Sequence, residues 1–318
     1  MDNKYLSRIN LILSHFNKNK NISIIGITES NGQPISGCDI TPIMIKEKGL
    51  LKLLSKDNVT FELFKSKTND NNYINVNSYG DIIKNSYIIG EYCYNLYLHI
   101  LEKYLNTYPI IIGGDHSISC GTISSALTYD NNIGVIWIDA HADINTPDTS
   151  KTMNLHGMPL SFLLGLTDYT KIRGFEWMNN IPKLNPKNLI YIGLRDIDDD
   201  ELKFIKDLNI KTYTMDTIKN KTIECVLDEI LLYLSHIDNL HISWDIDSID
   251  PIYAPCTGTK VDNGLSINEC ICISKTLSKY KNIRSIDMVE INTKLSDNIN
   301  DINRTLDIAN YIIYLLMS

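Results

Sequence analysis

The residues best suited to chemistry are acids and histidines that each follow a short apolar run. They are His116 after residues 110–112, Asp139, His141 and Asp143 after residues 133–138, and Asp245 and Asp247 after residues 240–244. Within the second and third groups the ligands are spaced i, i+2, and alternate residues of an extended chain point the same way. The side chains of each group can therefore face one point.

Gathering so many acids has an electrostatic consequence. Four carboxylates at one point repel one another and raise one another's pKa values unless cations lie among them. Oxygen and imidazole donors without sulfur suit a divalent metal such as Mn²⁺ better than a closed structural zinc site. Two metals about 3.5–4 Å apart can share and ionise one water molecule. Each motif alone also fits a polar loop after a strand, but the three motifs together predict a hydrolase site with two metals.

Strand-like and helix-like segments alternate along the chain. Strands are predicted at residues 22–27, 59–64, 110–112, 133–138, 189–193, 211–214, 240–244 and 283–289. Helices are predicted at residues 1–17, 41–55, 81–105, 118–127, 159–166, 199–208, 218–235 and 268–279, with a closing helix through residues 302–316. Such alternation predicts βαβ units and a mostly parallel sheet, whose ligands bind beyond the carboxyl ends of the strands. Without a linker or repeat, residues 1–318 are predicted to form a single domain.

Composition excludes several classes of partner. The 318 residues are 43% hydrophobic and 21% charged, ordinary values for a globular protein. A net charge of −8 argues against nucleic acid or an anionic membrane as the main partner. Apolar runs fall short of the roughly 18 residues that cross a bilayer. Seven cysteines without a spacing pattern, and an N-terminus unlike a signal peptide, predict free thiols and a cytoplasmic protein.

Five motifs resemble the ureohydrolase superfamily, and arginases most of all. They are GGDHS at 113–117, DAHADINTP at 139–147, NLHGMPLSFLL at 154–164, IGLRDID at 192–198 and SWDIDSIDP at 243–251. The resemblance covers nearly the whole chain. It implies a three-layer α/β/α sandwich around a mostly parallel eight-stranded sheet, with two Mn²⁺ per subunit at the strand ends. One ion would take His116, Asp139, Asp143 and Asp245, and the other Asp139, His141, Asp245 and Asp247.

The resemblance also implies the reaction and the remaining site residues. The substrate would be L-arginine, and a metal-bridging hydroxide would convert it to L-ornithine and urea. Its α-carboxylate and α-ammonium would contact Asn145, Ser150, Thr152 and Asn154, and Asp198 and Glu201, respectively. Glu290 and Thr259 would contact the guanidinium end, Asp143 would transfer the proton of the attacking water, and His156 would exchange protons with solvent. Met153 stands where many arginases have glycine.

Alternative functions remain compatible with the same sequence. Another ureohydrolase would act on agmatine, guanidinobutyrate or a formimino compound, and a non-catalytic homologue would keep the fold as a binding protein. A related deacetylase with a single zinc is disfavoured by the paired DxHxD and DxD motifs. The resemblance further implies a homotrimer or hexamer. Arg195, within IGLRDID, could bind an anion, but a structural ion pair is favoured.

Overall fold

In the computed structural model of this protein, residues 21–54, 58–66 and 83–318 are described. The predicted helix at 1–17 lies outside these residues. Eight parallel strands form one sheet in the order β2-β1-β3-β8-β7-β4-β5-β6, so the predicted fold class is confirmed. The strands are β1 (Ile22–Gly26), β2 (Val59–Leu63), β3 (Tyr108–Ile112), β4 (Gly134–Ile138), β5 (Leu189–Leu194), β6 (Lys211–Thr214), β7 (Asn239–Asp245) and β8 (Asn282–Val289).

Helices connect and cover these strands. They are α1 (Thr41–Glu47), α2 (Leu50–Leu54), α3 (Ser86–Tyr104), α4 (Ser119–Tyr129), α5 (Pro159–Leu163), α6 (Asp199–Asp207), α7 (Met215–Lys221), α8 (Ile223–Tyr233), α9 (Ile267–Tyr280) and α10 (Ile299–Leu316). Alternate residues of each central strand face opposite sides of the sheet, as Ile110 and Ile112 pack in one core cluster and Ile111 in the other. Helices α1, α2 and α7–α10 cover the first face and α3–α6 the second. The result is three layers.

Two predicted helices are interrupted. The helix predicted at 41–55 divides into α1 and α2 because Gly49 adopts φ +98°, a left-handed conformation that glycine permits. The helix predicted at 218–235 becomes α7 and α8, with Thr222 at φ 71° between them. The helix predicted from residue 81 begins at Ser86, after Asn85 at φ 57°. Local backbone geometry therefore shortens the elements without changing their order.

The strand order positions the chemistry. β3, β8, β7 and β4 are neighbours at the centre of the sheet. All four run in the same direction, so their carboxyl ends meet at one edge. His116 follows β3, Glu290 follows β8, Asp245 ends β7, and Asp139 follows β4. Ligands of open α/β sheets bind at this edge, so the predicted site residues meet although they lie far apart in sequence.

Candidate metal centre and active site

The first group of predicted ligands converges on one imidazole nitrogen. Nδ1 of His116 lies 3.1 Å from Oδ2 of Asp139, 3.2 Å from Oδ2 of Asp143 and 3.3 Å from Oδ2 of Asp245. The ligand atoms of His116, Asp139 and Asp143 all fall within 4.8 Å of one another. This spacing lets one cation contact all of them.

The second group shares Asp139 with the first. Nδ1 of His141 lies 3.1 Å from Oδ2 of Asp247 and 3.5 Å from Oδ1 of Asp139. Asp139 thus directs Oδ2 to one histidine and Oδ1 to the other, the arrangement of a bridging carboxylate. Asp245 brings Oδ2 into the first group, while its Oδ1 accepts the amide of Asp247 at 2.8 Å.

The environment of His116 fits a metal ligand. Its Nδ1 is buried and makes no hydrogen bond of acceptable geometry to any described residue, although three carboxylate oxygens surround it. Nε2 contacts Oγ of Ser243 at 2.8 Å, and the ring stacks on Trp137 with centroids 3.9 Å apart. With Nε2–H donating to Ser243, the Nδ1 lone pair faces the carboxylates. A partner on the second ring nitrogen is how proteins orient histidine ligands of metals.

The pKa values of the carboxylates also indicate that these residues suit a metal. Burial and the charge of Asp139 raise the pKa of Asp143 to about 6. Burial and neighbouring carboxylates also raise the pKa values of Asp245 and Asp247. Burial raises the pKa of Asp139 too, but its contacts with His116 and His141 outweigh this and hold the pKa below its usual value. Such a cluster ionises completely only when positive charge lies among the acids, so these residues fit divalent cations.

A second buried cluster surrounds Glu290. Oε1 of Glu290 accepts the amide of His116 at 2.8 Å and contacts Nδ1 of His156 at 3.3 Å. Oε2 accepts Nε2 of Gln33 at 2.6 Å. Burial lowers the pKa of His156, but its hydrogen bond to Glu290 and nearby acids raise it to about 9. The imidazole is therefore mostly protonated at neutral pH.

The sequence reasoning missed Gln33. It lies in the loop after β1, and β1 is separated from β8 in the sheet by β3 alone. Its position in the sequence does mark Gln33 as a candidate, because polar residues beyond the carboxyl end of a parallel strand often belong to the binding site. Its contact with Glu290 spans 257 residues of sequence and could not be predicted from spacing.

Two site residues have strained backbones. Asp143 adopts φ 49° and Glu290 φ 62°, a left-handed conformation that is uncommon for residues with side chains. Each carries a buried carboxylate, with Asp143 8% and Glu290 2% exposed. Strain of this kind concentrates at functional sites because it directs a side chain that a relaxed backbone would turn elsewhere.

The loop predicted to bind the α-carboxylate lies beside Asp198. Nδ2 of Asn145 donates to Oδ2 of Asp198 at 3.3 Å, and Nζ of Lys151 lies 2.8 Å from Oδ1. The structure thus brings Asn145 and Asp198 together and adds Lys151, which was not among the predicted site residues. Each oxygen of Asp198 accepts one of these groups and keeps a second acceptor position for a substrate ammonium, although the charge of Lys151 competes with that of the ammonium.

The remaining residues of this loop hydrogen-bond within it. Oγ of Ser150 accepts the amide of Met153 at 3.0 Å, and Oγ1 of Thr152 accepts the amide of Asn154 at 3.3 Å. Met153 adopts φ 57°, the conformation that glycine adopts without strain. Oδ1 of Asn154 accepts Nζ of Lys84 at 3.4 Å. These contacts bring the predicted hydroxyls and amide together on one turn.

Two other predicted residues, Glu201 and Thr259, form hydrogen bonds with neighbouring residues of the protein. Glu201 is buried and accepts the amides of Asp198 at 3.0 Å and Ile144 at 3.2 Å, and burial raises its pKa to about 7. Oγ1 of Thr259 donates to Oδ2 of Asp247 at 2.8 Å. Both residues thus support neighbours of the site, and their contacts with substrate remain predictions.

Arg195 differs from its prediction. Among the described residues, its guanidinium makes hydrogen bonds to main-chain carbonyls, not an ion pair, and these carbonyls belong to Gly193, Asp247, Ser248, Val261 and Asp262. The planar fork of arginine suits several carbonyls that converge from two segments. Arg195 therefore ties the end of β5 to the loop that carries Asp247.

Fold and site together define a class of enzyme, a three-layer α/β hydrolase with two neighbouring cation sites at the central strand ends. The family model described as "Arginase family" matches residues 20–318. The chain is 36% identical over 296 residues to an arginase of Staphylococcus aureus (strain MRSA252), covering 88% of this chain and 93% of that protein. This chain therefore belongs to the Arginase family, and membership of this family implies a binuclear metal centre.

Solved structures agree with this assignment. The crystal structure of arginase from Bacillus cereus superposes with a TM-score of 0.83 at 31% identity, covering 94% of this chain and 98% of that one. The structure of Entamoeba histolytica arginase in complex with L-ornithine gives a TM-score of 0.82 at 28% identity, covering 93% and 97%. Among the described helices, none has the length and apolar character that a membrane crossing requires.

Proposed function

We propose that this enzyme hydrolyses L-arginine to L-ornithine and urea and uses two Mn²⁺ per subunit. The observation that carries the proposal is the sharing of Asp139 by two groups of ligands, beside the buried carboxylate of Glu290 and its contact with His156. A shared carboxylate suits two cations at one water, and a buried carboxylate suits a guanidinium. Oxygen and imidazole donors favour manganese over soft metals.

We expect the metal ligands to divide between the two ions as the family resemblance implies. His116, Asp139, Asp143 and Asp245 would hold one ion, and Asp139, His141, Asp245 and Asp247 the other. When bound, the two cations supply the Lewis acidity that makes water a nucleophile at neutral pH. The chain's own residues bind the substrate and move the protons.

Glu290 binds and orients the guanidinium. Its carboxylate is held by main-chain and side-chain donors, and it offers a negative charge to the planar cation. Water adds its oxygen to the guanidinium carbon, and the bond from that carbon to the side-chain nitrogen of arginine breaks. Asp143 takes a proton from the water and passes it to the departing amine. Urea and the amine of ornithine are the two products.

His156 exchanges protons between the site and solvent. Its side chain is 19% exposed, so one part of the ring reaches solvent while Nδ1 contacts Glu290. Because its pKa is raised to about 9, it carries a proton at neutral pH. After Asp143 has protonated the departing nitrogen, His156 supplies the second proton that converts the free amine to ammonium, and solvent reprotonates the imidazole.

The amino-acid end of the substrate distinguishes arginine from other guanidino compounds. Ser150, Thr152, Asn145 and Asn154 would bind the α-carboxylate, and Asp198 and Glu201 the α-ammonium. Thr259 would contact the guanidinium end together with Glu290. These polar groups support arginine over agmatine, since agmatine lacks the carboxylate and would leave the hydroxyls and amides without their partner.

Turnover of matched substrates tests the proposal. Urea release from L-arginine, agmatine and 4-guanidinobutyrate is measured with protein loaded with Mn²⁺, and formimino hydrolysis is assayed separately. L-Arginine is expected to exceed each alternative at least about a hundredfold in kcat/KM, because unpaired buried polar groups cost that much or more. Preference for agmatine would instead assign another ureohydrolase activity. Absence of turnover together with absence of bound metal would indicate a binding protein.

We further propose a cytoplasmic homotrimer or hexamer, an expectation that rests on the family alone. Sedimentation of the purified enzyme and fractionation of cells that express it would test assembly and location. A monomer that retains full arginine turnover would contradict the first proposal. Recovery of the protein in a membrane-enclosed or secreted fraction would contradict the second.

A further inference from the structure

The loop after β1 places one amide side chain directly on Glu290. Gln33 is 8% exposed, and its Nε2 donates to Oε2 of Glu290 at 2.6 Å. The same nitrogen lies 3.1 Å from Sγ of Cys38, another buried residue of this loop. Gln33 is thus the side-chain amide closest to the carboxylate proposed to receive the guanidinium.

The loop is fixed to the site on both sides of this contact. The amide of Gly32 donates to Oδ2 of Asp115 at 2.8 Å, and the carbonyl of Gly32 accepts the amide of His156 at 3.1 Å. A Cβ at Gly32 would collide with the Asp115 carboxylate, so glycine is required here. Gln33 therefore follows a backbone that is clamped between the segments carrying His116 and His156.

The two oxygens of Glu290 have different hydrogen-bond partners. Oε1 contacts the amide of His116 and Nδ1 of His156, whereas Oε2 receives the short bond from Gln33 and lies 3.9 Å from the thiol of Cys38. A carboxylate has about four acceptor positions, two on each oxygen. The amide of His116 holds Oε1, so the bond from Gln33 to Oε2 restrains the rotation of the carboxylate and occupies one acceptor position of Oε2.

The oxygen of the Gln33 amide lies beside a second loop, which contains Gly258. A Cβ at Gly258 would lie 3.3 Å from Oε1 of Gln33, so this loop passes directly beside the amide. The next residue, Thr259, donates to Asp247 at 2.8 Å. The amide of Gln33 is therefore confined between Glu290 and the loop that supports a metal ligand.

We propose that Gln33 is a positioning residue for the guanidinium pocket, holding the Glu290 carboxylate in the orientation that receives the substrate. This inference rests on the proposed function of Glu290. It predicts a defect confined to the guanidinium end of the substrate, because the amino-acid end lies against Asp198 and the loop at 145–154. A residue that only stabilised the loop would affect both ends and the thermal stability.

The test compares Gln33→Met, Gln33→Glu and the same-loop control Ser36→Ala. Methionine keeps the length of glutamine without the donor, glutamate keeps the shape but opposes the charge of Glu290, and Ser36 is exposed. For L-arginine, kcat/KM is expected to fall about 10- to 100-fold in Gln33→Met, mainly through KM, and at least as far in Gln33→Glu. Ser36→Ala is expected to match the wild type.

L-Ornithine provides the discriminating measurement because it lacks the guanidinium. Its Kd, measured by calorimetry on the metal-loaded protein, is expected to change less than about twofold in Gln33→Met. An unchanged or lower KM for arginine would overturn the inference, since Gln33 would then merely compete with the substrate for Oε2. Equal weakening of ornithine and arginine would also overturn it.

Failure of the proposed function would give different results from failure of the inference about Gln33. A wild-type enzyme that prefers agmatine contradicts the substrate assignment, but the Gln33 variants should still lose activity on agmatine because the guanidinium end is the same. If the wild type releases urea from no guanidino compound, binding of agmatine and of 1,4-diaminobutane, its counterpart without the guanidinium, replaces the kinetic comparison. Equal loss for both ligands in Gln33→Met would then refute the positioning role.

Discussion

Asp139→Asn is expected to remove metal binding while leaving the metal-free fold nearly as stable as before. Asp139 is fully buried, and its oxygens accept the amide of His141 at 2.7 Å and Nε1 of Trp137 at 2.9 Å. An asparagine has one acceptor oxygen, so one of these donors would face an NH₂ group. Leaving one buried donor unpaired costs about 1–3 kcal/mol.

The loss of charge opposes this cost. Asp143, Asp245 and Asp247 each have a raised pKa to which the charge of Asp139 contributes, so removing that charge relieves repulsion within the cluster. Removing the charge also loses the attraction to His116 and His141 that holds the pKa of Asp139 below its usual value, so the relief is partial and the unpaired donor sets most of the net change. We therefore expect metal-free Asp139→Asn to unfold within about 2 kcal/mol of the metal-free wild type, a change in Tm of roughly 5 °C or less for a chain of this size.

The response to Mn²⁺ distinguishes the wild type from Asp139→Asn. A ligand at 100 times its Kd stabilises the folded state by about 2.7 kcal/mol, so Mn²⁺ is expected to raise the Tm of the wild type by at least about 5 °C. In Asp139→Asn both groups of ligands lose their shared oxygen. Metal affinity should fall by more than the 10- to 100-fold that loss of a supporting hydrogen bond typically causes, and urea release should fall below detection.

The assay combines metal content, thermal unfolding with and without Mn²⁺ after chelation, and urea release. Asp250→Asn is the control, since Asp250 accepts the amides of Ile252 and Gly264 at 3.0 and 3.1 Å and lies outside the ligand groups. It should retain metal and the rise in Tm. If Asp139→Asn keeps two metals and its response to Mn²⁺, the assignment of a shared ligand is wrong.

Three further changes probe single interactions. His156→Ala is expected to slow urea release about 10²- to 10⁴-fold without loss of metal. The rate of the wild type is expected to fall above the His156 pKa of about 9, and this fall should be absent from the variant. An unchanged pH profile would exclude proton transfer by His156. Lys151→Met frees Asp198, so KM for arginine should fall up to about fivefold at constant kcat, whereas a higher KM would mean that the lysine binds substrate. Burial raises the pKa of Glu29 from 4.5 to about 7, so the folded state is destabilised as pH rises through this window, by on the order of 3 kcal/mol once Glu29 is fully ionised. Glu29→Gln should therefore raise Tm at pH 8 more than at pH 5, and equal shifts at both pH values in thermal unfolding would contradict this.

The order of strands and helices was predictable because apolar runs on both faces require helices above and below the sheet. Interruptions were less predictable. Gly49 marks a possible break by residue type, but nothing about threonine announces the left-handed conformation of Thr222. Tertiary packing decides such positions, and sequence periodicity reports only the average environment of a segment.

The spacing of the predicted metal ligands is visible in the sequence, whereas the contacts around them are not. Asp139, His141 and Asp143 are spaced two residues apart, and an extended chain would give them a common direction. In the structure they lie beyond the end of β4 and Asp143 adopts φ 49°, so their convergence also depends on this turn. Gln33 reaches Glu290 only because β1, β3 and β8 lie side by side, an order that sequence spacing does not encode. Lys151 meets Asp198 for a comparable reason, since the loop after β4 and the loop after β5 leave adjacent strands.

The strained positions show why this site needs the surrounding sheet. Asp143 and Glu290 adopt left-handed conformations that cost on the order of 1–3 kcal/mol each. The amide of Leu160 binds the carbonyl of Asp143 at 3.0 Å, and the amide of Glu290 binds the carbonyl of Gly114 at 3.1 Å, so neighbouring segments hold both turns. Two strained, buried acids are unfavourable for the apoprotein and favourable only once positive charge binds beside them. The strained backbone thus directs Asp143 toward His116 and Glu290 toward His156 and Gln33, where the proposed metals and guanidinium would bind.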